Sequence, residues 1–356
     1  MSKILNIARR ASTVARFANK GATYNFLTNE NNKKPNQDVV GIGQFTNESF
    51  STNPREFLRK LSADMARKLA GDERLNSSGS TCNVSVVADG KLRILSLGDS
   101  PTYVSIRDEN GNRMSIKLTQ DHKFSDREFS NKFKTEKDAR GVVRYKGLSV
   151  PCLGHNHDEE IAKTEPRILE YDFRHLPGMA SMMGIGSKIS AIDLFVASDG
   201  LCEMNLDESS IDSVEITTSQ LALMENDKMR FLKSSARQDG LSKVIALSEN
   251  PAESLMENAL ANNSQDNISV AHVSFSSEYL QNLISGKNQS SPIAIFVFDG
   301  NGQNGHIAAE KLSEIVRENM QLAPIEGLPL RLPNPSLSPD ALALEPLRGV
   351  IDRQRR

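Results

Sequence analysis

The stretches IAIFVFDG (residues 293–300) and DLFVASDG (residues 193–200) decide how this chain is read. Each is an apolar, β-favouring run that breaks at Asp-Gly, as a buried strand does when its end must present a carboxylate and a free backbone carbonyl. Glycine permits the sharp exit that such a strand end needs when it faces a cation. Asp38, Asp99 and Asp266 add three more acids at apparent strand ends or turns. Hard divalent cations take oxygen-only donor sets of this kind.

The chain has 356 residues, 38% hydrophobic and 25% charged, enough to bury a full core in one large or two ordinary domains. Lys plus Arg number 43 and Asp plus Glu 45, a net charge of -2 that gives no electrostatic case for nucleic acid. Trp is absent and aromatic residues are 5%, so base-stacking platforms are not expected. Three widely spaced cysteines, Cys82, Cys152 and Cys202, argue against a disulfide framework or a zinc cluster. A reducing, cytoplasmic setting fits better. No apolar stretch reaches the length of a transmembrane helix.

Residues 1–22 form a basic segment with no Asp or Glu. On a helical wheel Ile4, Ile7, Ala8, Ala11, Ala15 and Ala18 share one face, opposite Arg9, Arg16 and Lys20. This is the composition of a mitochondrial-targeting or membrane-surface helix, so residues 1–20 are a candidate for membrane or organelle association. The alternatives are a basic helix packed on the domain or a frayed terminus. Residues 23–322 carry the remaining pattern, and residues 323–356 read as a Pro/Leu-rich tail.

Within the middle segment, 57–69 has helical spacing after an Asn53-Pro54 start signal. Short strands are expected over 82–87, 92–97, 102–107 and 114–118, with turns at Asp89-Gly90 and Asn110-Gly111, as an antiparallel meander. A loop insertion is expected over 177–190 and helices over 209–261. Strands follow at 267–275 and 293–298, then an amphipathic helix over 307–320. Runs of strands separated by runs of helices favour an α+β class, an antiparallel β-sandwich flanked by helices in α-β-β-α layers. HNHD at 155–158 reads as a solvated loop, and His122 as a residue that fixes a turn.

If Asp199, Asp266 and Asp299 meet at one end of that sandwich, they cannot all remain ionised without cations. Two Mg²⁺ or Mn²⁺ ions would neutralise them, acidify a shared water and draw charge from a phosphoryl group. A lone Asp-Gly is a common hairpin turn and carries no chemistry by itself.

Seven segments together resemble the signature blocks of the metal-dependent protein Ser/Thr phosphatases of type 2C. They are KKPNQDVVGIG (33–43), SSGSTCNVSVV (77–87), LRILSLGDSPTYV (92–104), LTQDHKFS (118–125), DLFVASDGLCE (193–203), SQDNISVAHVSF (264–275) and FVFDGNGQNGHIAAEKL (296–312). In that family the Asp-Gly strand and its helix follow directly after the Asn-x-Asp strand. Here that place holds only GQFTNESFSTN (43–53), and the unit stands displaced at 291–320. The resemblance therefore implies rearranged connectivity, with the C-terminal strand pairing beside the N-terminal one.

It further implies that Asp299 bridges both metals with Gly300 offering its carbonyl, and that Asp199 and Asp266 hold one metal. Asp38 and Gln37 would act through metal-bound water. Asp99 would serve a third, weaker metal site with Asp199 and Glu203. Lys33 stands where the family has a phosphate-binding Arg and supplies charge without a bidentate fork. Asn301 stands where eukaryotic members have His. SVPCLGHN (149–156) replaces a Ser-Arg-Ala-Leu-Gly-Asp segment used in substrate docking. The implied activity is hydrolysis of phosphoserine or phosphothreonine in a phosphoprotein substrate, without a covalent intermediate. The alternatives are a pseudophosphatase that keeps the fold as a binding module and a hydrolase of small phosphoesters.

Overall fold

Ile293–Phe298 forms a strand inside a five-stranded antiparallel sheet, and its alternation sets the layers of the molecule. Ile293, Ile295 and Val297 belong to one buried cluster, whereas Ala294, Phe296 and Phe298 belong to another. Successive side chains of a strand point to opposite faces, so this strand is covered on both sides.

The computed structural model describes residues 12–19, 22–29, 37–45, 50, 52–124, 131–139, 141–145, 148, 150–156, 158–162, 164–175, 177–178, 181, 186, 188–201, 213–215, 230–232, 255–256, 259, 264, 266–285 and 292–323. In chain order the strands are β1 (Ser12–Asn19), β2 (Ala22–Asn29), β3 (Val39–Gln44), β4 (Gly79–Ser80), β5 (Cys82–Ala88) and β6 (Lys91–Leu97). Next come β7 (Thr102–Asp108), β8 (Arg113–Lys117), β9 (Glu136–Lys137), β10 (Val143–Arg144), β11 (Leu153–Gly154) and β12 (Arg167–Asp172). The rest are β13 (Ile189–Ala197), β14 (Ser213–Glu215), β15 (Arg230–Leu232), β16 (Ile268–Ser276), β17 (Ile293–Phe298) and β18 (Gly300–Asn301). The helices are α1 (Pro54–Ala70), α2 (Glu159–Ala162), α3 (Ser277–Ser285) and α4 (Gly305–Met320).

The larger sheet runs β1-β2-β16-β13-β7-β8-β15-β14 and the smaller one β12-β6-β5-β17-β3. Their facing sides form the central core, with Val40, Ile42, Ile94 and Ile295 from one sheet against Val104, Ile192, Leu194 and Val273 from the other. The outer face of the smaller sheet packs on α1 and α4 through Leu58, Leu61, Met65, Leu312, Ile315 and Val316. On the outer face of the larger sheet, Phe195, Ile268 and Val270 meet Leu255, Met256 and Ala259. The architecture is the expected α+β class: two antiparallel sheets between helices.

α1 starts where Asn53 and Pro54 predict. The Asn53 side chain accepts the Glu56 N–H (3.2 Å), Pro54 occupies the first turn, and Leu58, Leu61, Met65 and Leu69 form the buried stripe. At Asp89-Gly90 both residues have positive φ (52° and 70°), the type I′ geometry that joins β5 to β6.

Three expectations are corrected. Ser12–Asn19 is a strand, not part of a basic helix. It pairs with β2 from Ser12↔Asn29 to Asn19↔Ala22, and β2 pairs in turn with β16. The pairing that closes at Asn19↔Ala22 and the β-favouring Thr13, Val14 and Phe17 outweigh the helical wheel. Residues 1–11 of that reading lie outside the described residues. Second, the strands from Cys82 to Lys117 are not one meander: β5 and β6 pair in the smaller sheet, β7 and β8 in the larger. The chain changes sheets between Leu97 and Thr102. Third, the expected helices over 209–261 lie mostly outside the described residues, and β14 and β15 are strands within that range. The insertion at 177–190 and the tail beyond Ala323 also fall largely outside them.

Among the described residues no helix is long and apolar enough to cross a membrane.

Candidate metal centre

β17 runs antiparallel to β3 with Phe298 opposite Val39, so Asp299 and Asp38 leave adjoining strands side by side. β17 also pairs with β5, placing Val297 opposite Asn83. In the larger sheet β13 pairs with β16 (Ala197↔Val270) and with β7 (Val196↔Thr102). The ends that carry Asp199, Asp266 and Asp99 therefore lie together. Five acids, from both sheets, collect at one end of the sandwich.

Backbone and side-chain bonds lock these ends to one another. Gly300 N–H donates to Gln37 O (3.2 Å), Thr81 N–H to Asp299 O (2.9 Å), and Asp299 N–H to Thr81 Oγ1 (3.2 Å). Gln37 N–H donates to Asn267 Oδ1 (3.1 Å), and Gln37 Nε2 to Gly302 O (3.0 Å). Asn267 N–H donates to Asp266 Oδ1 (2.8 Å), and Ser264 Oγ to Gly200 O (2.7 Å). The two Asp-Gly glycines are required sterically. A Cβ at 200 would lie 1.9 Å from Asn267 O, and one at 300 would lie 2.5 Å from Gly305 C and 2.7 Å from Gln37 O.

The electrostatics follow from this crowding. Burial pushes the Asp38 carboxyl up to about 6, the Asp266 charge adds to the rise, and hydrogen bonds from Ser198, Ser269 and Asp299 oppose it. Burial is also the main cause for Asp99, raised to about 6, with Asp121 adding repulsion and Lys123 and Lys117 relieving it. Asp199 is raised well above the carboxylate range by burial, then by the charges of Asp99 and Asp266. Asp299 is raised likewise by burial, then by Asp199, Asp38 and Asp266. Asp199 and Asp299 lie within hydrogen-bonding reach of each other.

A cluster of this kind must take up protons or cations. Two observations fit hard cations: the converging donors are all oxygens, and Asp199 Oδ1 is buried without a hydrogen-bond partner among the described residues. No group of three or more His, Cys, Asp or Glu side chains is already gathered at metal-binding geometry among the described residues.

Of the residues named from sequence, Asp38, Gln37, Asp99, Asp199, Asp266, Asp299 and Gly300 are thus brought together. Lys33 and Glu203 lie outside the described residues. Asn301 is half-buried in β18, opposite Gly79 of β4. His122 fixes a turn: its N–H donates to Gly98 O (2.9 Å), and Gly98 N–H reaches its Nδ1 (3.1 Å). Burial pushes its pKa down to about 4, so it is neutral.

HNHD is not the solvated loop expected, because His155 and Asp158 are buried. His155 has φ 53° and donates its N–H to Ser78 O (2.9 Å). Asp158 Oδ1 accepts the N–H of Glu160 (3.1 Å) and Ile161 (3.2 Å) at the start of α2. His157 lies outside the described residues.

Sequence reasoning missed the hydroxyl and amide residues that hold the acids: Thr81, Ser100, Ser198, Ser269 and Asn267. Asn83, Ser85 and Thr102 interrupt apolar strands and are buried in one hydrogen-bonded network beside Thr81 and Ser100.

No protein-family model and no curated protein matches the chain. Solved structures do. Serine-threonine phosphatase 2C from Toxoplasma gondii is 13% identical, covers 74% of this chain and 99% of its own, with a TM-score of 0.44. A phosphatase from a pathogenic strain of the same organism is 14% identical, covering 80% and 98%, with a TM-score of 0.45. The catalytic domain of the serine threonine protein phosphatase PstP, in complex with 2 manganese ions, is 15% identical, covering 71% and 97%, with a TM-score of 0.38. These similar structures are phosphatases, two of them described as serine-threonine phosphatases.

Proposed function

We propose that the protein is a divalent-cation-dependent phosphatase that hydrolyses phosphoserine or phosphothreonine in proteins. The observation that carries this reading is the meeting of Asp38, Asp99, Asp199, Asp266 and Asp299 from both sheets at one sandwich end, with their charges mutually unfavourable. Asp299 and Gly300 would hold two Mn²⁺ or Mg²⁺ ions in common, Asp199 and Asp266 would complete one position, and Asp38 and Gln37 would stand one remove away. Asp99, with Asp199 and Glu203, would serve a third, weaker position. When bound, the cations supply Lewis-acid charge toward phosphoryl oxygens and a lowered pKa for a coordinated water.

The protein's own part is positioning. Gln37 ties the Asp38 end to Gly300 and Gly302, and Asn267 ties it to Asp266, so backbone and side-chain hydrogen bonds together link the segments that carry the acids. Lys33 is assigned the substrate phosphate. We further read the place of β17, between β3 and β5, as the rearranged connectivity that the displaced Asp-Gly block implies.

The test is phosphate release from a phosphopeptide by purified protein. Release is expected only with added Mn²⁺ or Mg²⁺, and Asp299→Ala should abolish it. Activity that survives both EDTA and Asp299→Ala would reject the proposal. Turnover of small phosphoesters in preference to phosphopeptides would reject the protein substrate. Asn301 and Lys33 favour a second reading, a pseudophosphatase that binds without turnover, because neither supplies the residue expected there. Calorimetry that finds no Mn²⁺ uptake near micromolar would support that second reading.

A further inference from the structure

Thr81 joins the acid that ends the smaller sheet to the acid that lies between the sheets. Its N–H donates to Asp299 O (2.9 Å) and its Oγ1 accepts the Asp299 N–H (3.2 Å), so one residue holds both backbone polar groups of Asp299. The same Oγ1 lies 2.6 Å from Ser100 Oγ, and Ser100 directly follows Asp99. Ser100 is anchored in turn, because its carbonyl accepts Asn83 Nδ2 (2.8 Å). The Thr81 methyl fills the other side of the corner. A Cβ at residue 98, whose φ is 92°, would come within 2.7 Å of Thr81 Cγ2. Thr81 and Ser100 are 1% and 2% exposed, so neither hydroxyl meets solvent or substrate.

We propose that the Thr81–Ser100 hydroxyl pair is a positioning device that sets the spacing between the Asp299 and Asp99 carboxylates for divalent cations. The inference rests on the cation reading of the acid cluster. Cations demand donor oxygens at fixed separation, whereas Asp299 ends a strand of the smaller sheet and Asp99 lies in the connection that crosses from that sheet to the larger one. A short buried hydrogen bond is the direct link between those segments, and its loss frees one acid to shift against the other. Groups that orient metal ligands from behind typically govern affinity by about 10- to 100-fold.

The experiment is calorimetric Mn²⁺ titration of the full chain, with thermal melts in EDTA, for the wild type, Thr81→Val, Thr81→Ser and Ser100→Ala. Thr81→Val keeps the methyl and removes the hydroxyl, so it should weaken Mn²⁺ binding about 10-fold or more. Thr81→Ser keeps the hydroxyl and loses the methyl. It should lower the melting temperature while holding Mn²⁺ affinity within about 3-fold, well short of the loss expected from the missing hydroxyl. A merely structural residue would lose affinity and melting temperature together in both variants. Wild-type affinity in Thr81→Val would overturn the proposal, as would affinity losses that simply follow the melting temperatures. Should Thr81→Val fail to fold, Ser100→Ala removes the same hydrogen bond from its other end and is judged by the same outcomes. A wild type that takes up no Mn²⁺ would instead reject the cation reading and the proposal with it.

Discussion

Gly300 has backbone on two sides, Gly305 and the Gln37 carbonyl, and neither can move as a side-chain tip could. Gly300→Ala should therefore shift the β17–β18 corner and cost about 1–3 kcal/mol in denaturant unfolding, the usual penalty for overpacking. Asp299→Asn should act in the opposite sense on the metal-free protein. It removes a buried carboxylate charge that Asp199, Asp38 and Asp266 all disfavour, so stability in EDTA at neutral pH should rise. Thermal melts in EDTA check the gain, and the phosphopeptide assay checks the accompanying loss of turnover. At this scale Asp199 and Asp299 were legible, because Asp-Gly after an apolar run is a local pattern. Their supports were not. Asn267 meets Gln37 across 230 residues, and Asp299 meets Thr81 across 218, distances over which no local signal operates.

Elements with strong periodicity were the ones that sequence could place. α1 and α4 each carry an apolar stripe, and β17 carries a continuous apolar run that fits a strand buried on both faces. β1 was lost because alanines at helical spacing say little when a partner strand is at hand. Its place in the sheet is decided by pairing with β2. The passage from β6 to β7 was lost for a related reason: hairpin signals identify turns, not the sheet to which each strand belongs. Phe296 is fully buried between β17 and the helices, so Phe296→Ala should cost about 3–5 kcal/mol, measured by urea unfolding. Val142, at 40% exposed, is the contrasting surface position, and Val142→Ala should change stability by less than about 0.5 kcal/mol.

For the molecule as a whole, pH and cations should act on stability through the same acids. Asp38 and Asp99 have folded pKa values of about 6 against an ordinary 3.8. A carboxyl raised in this way binds its proton more tightly in the folded chain. Its stabilising contribution is complete below about pH 4 and is lost as pH rises through about 6. His122, lowered from 6.5 to about 4, works the other way and costs stability as pH falls through that range. Four raised carboxyls outweigh one lowered imidazole, so the melting temperature in EDTA should fall between pH 5 and 7.5. Mn²⁺ at 100 times its Kd should then add about 2.7 kcal/mol at pH 7.5. A melting temperature in EDTA that climbs across that interval would contradict the assignment of the acids. β17, finally, gives the protein an order of assembly. During synthesis β3, β5 and β6 leave the ribosome long before residues 293–298 exist, and the strand that must slide between β3 and β5 arrives late. Until then the nascent chain holds two open strand edges, a state that invites aggregation and calls for chaperone protection.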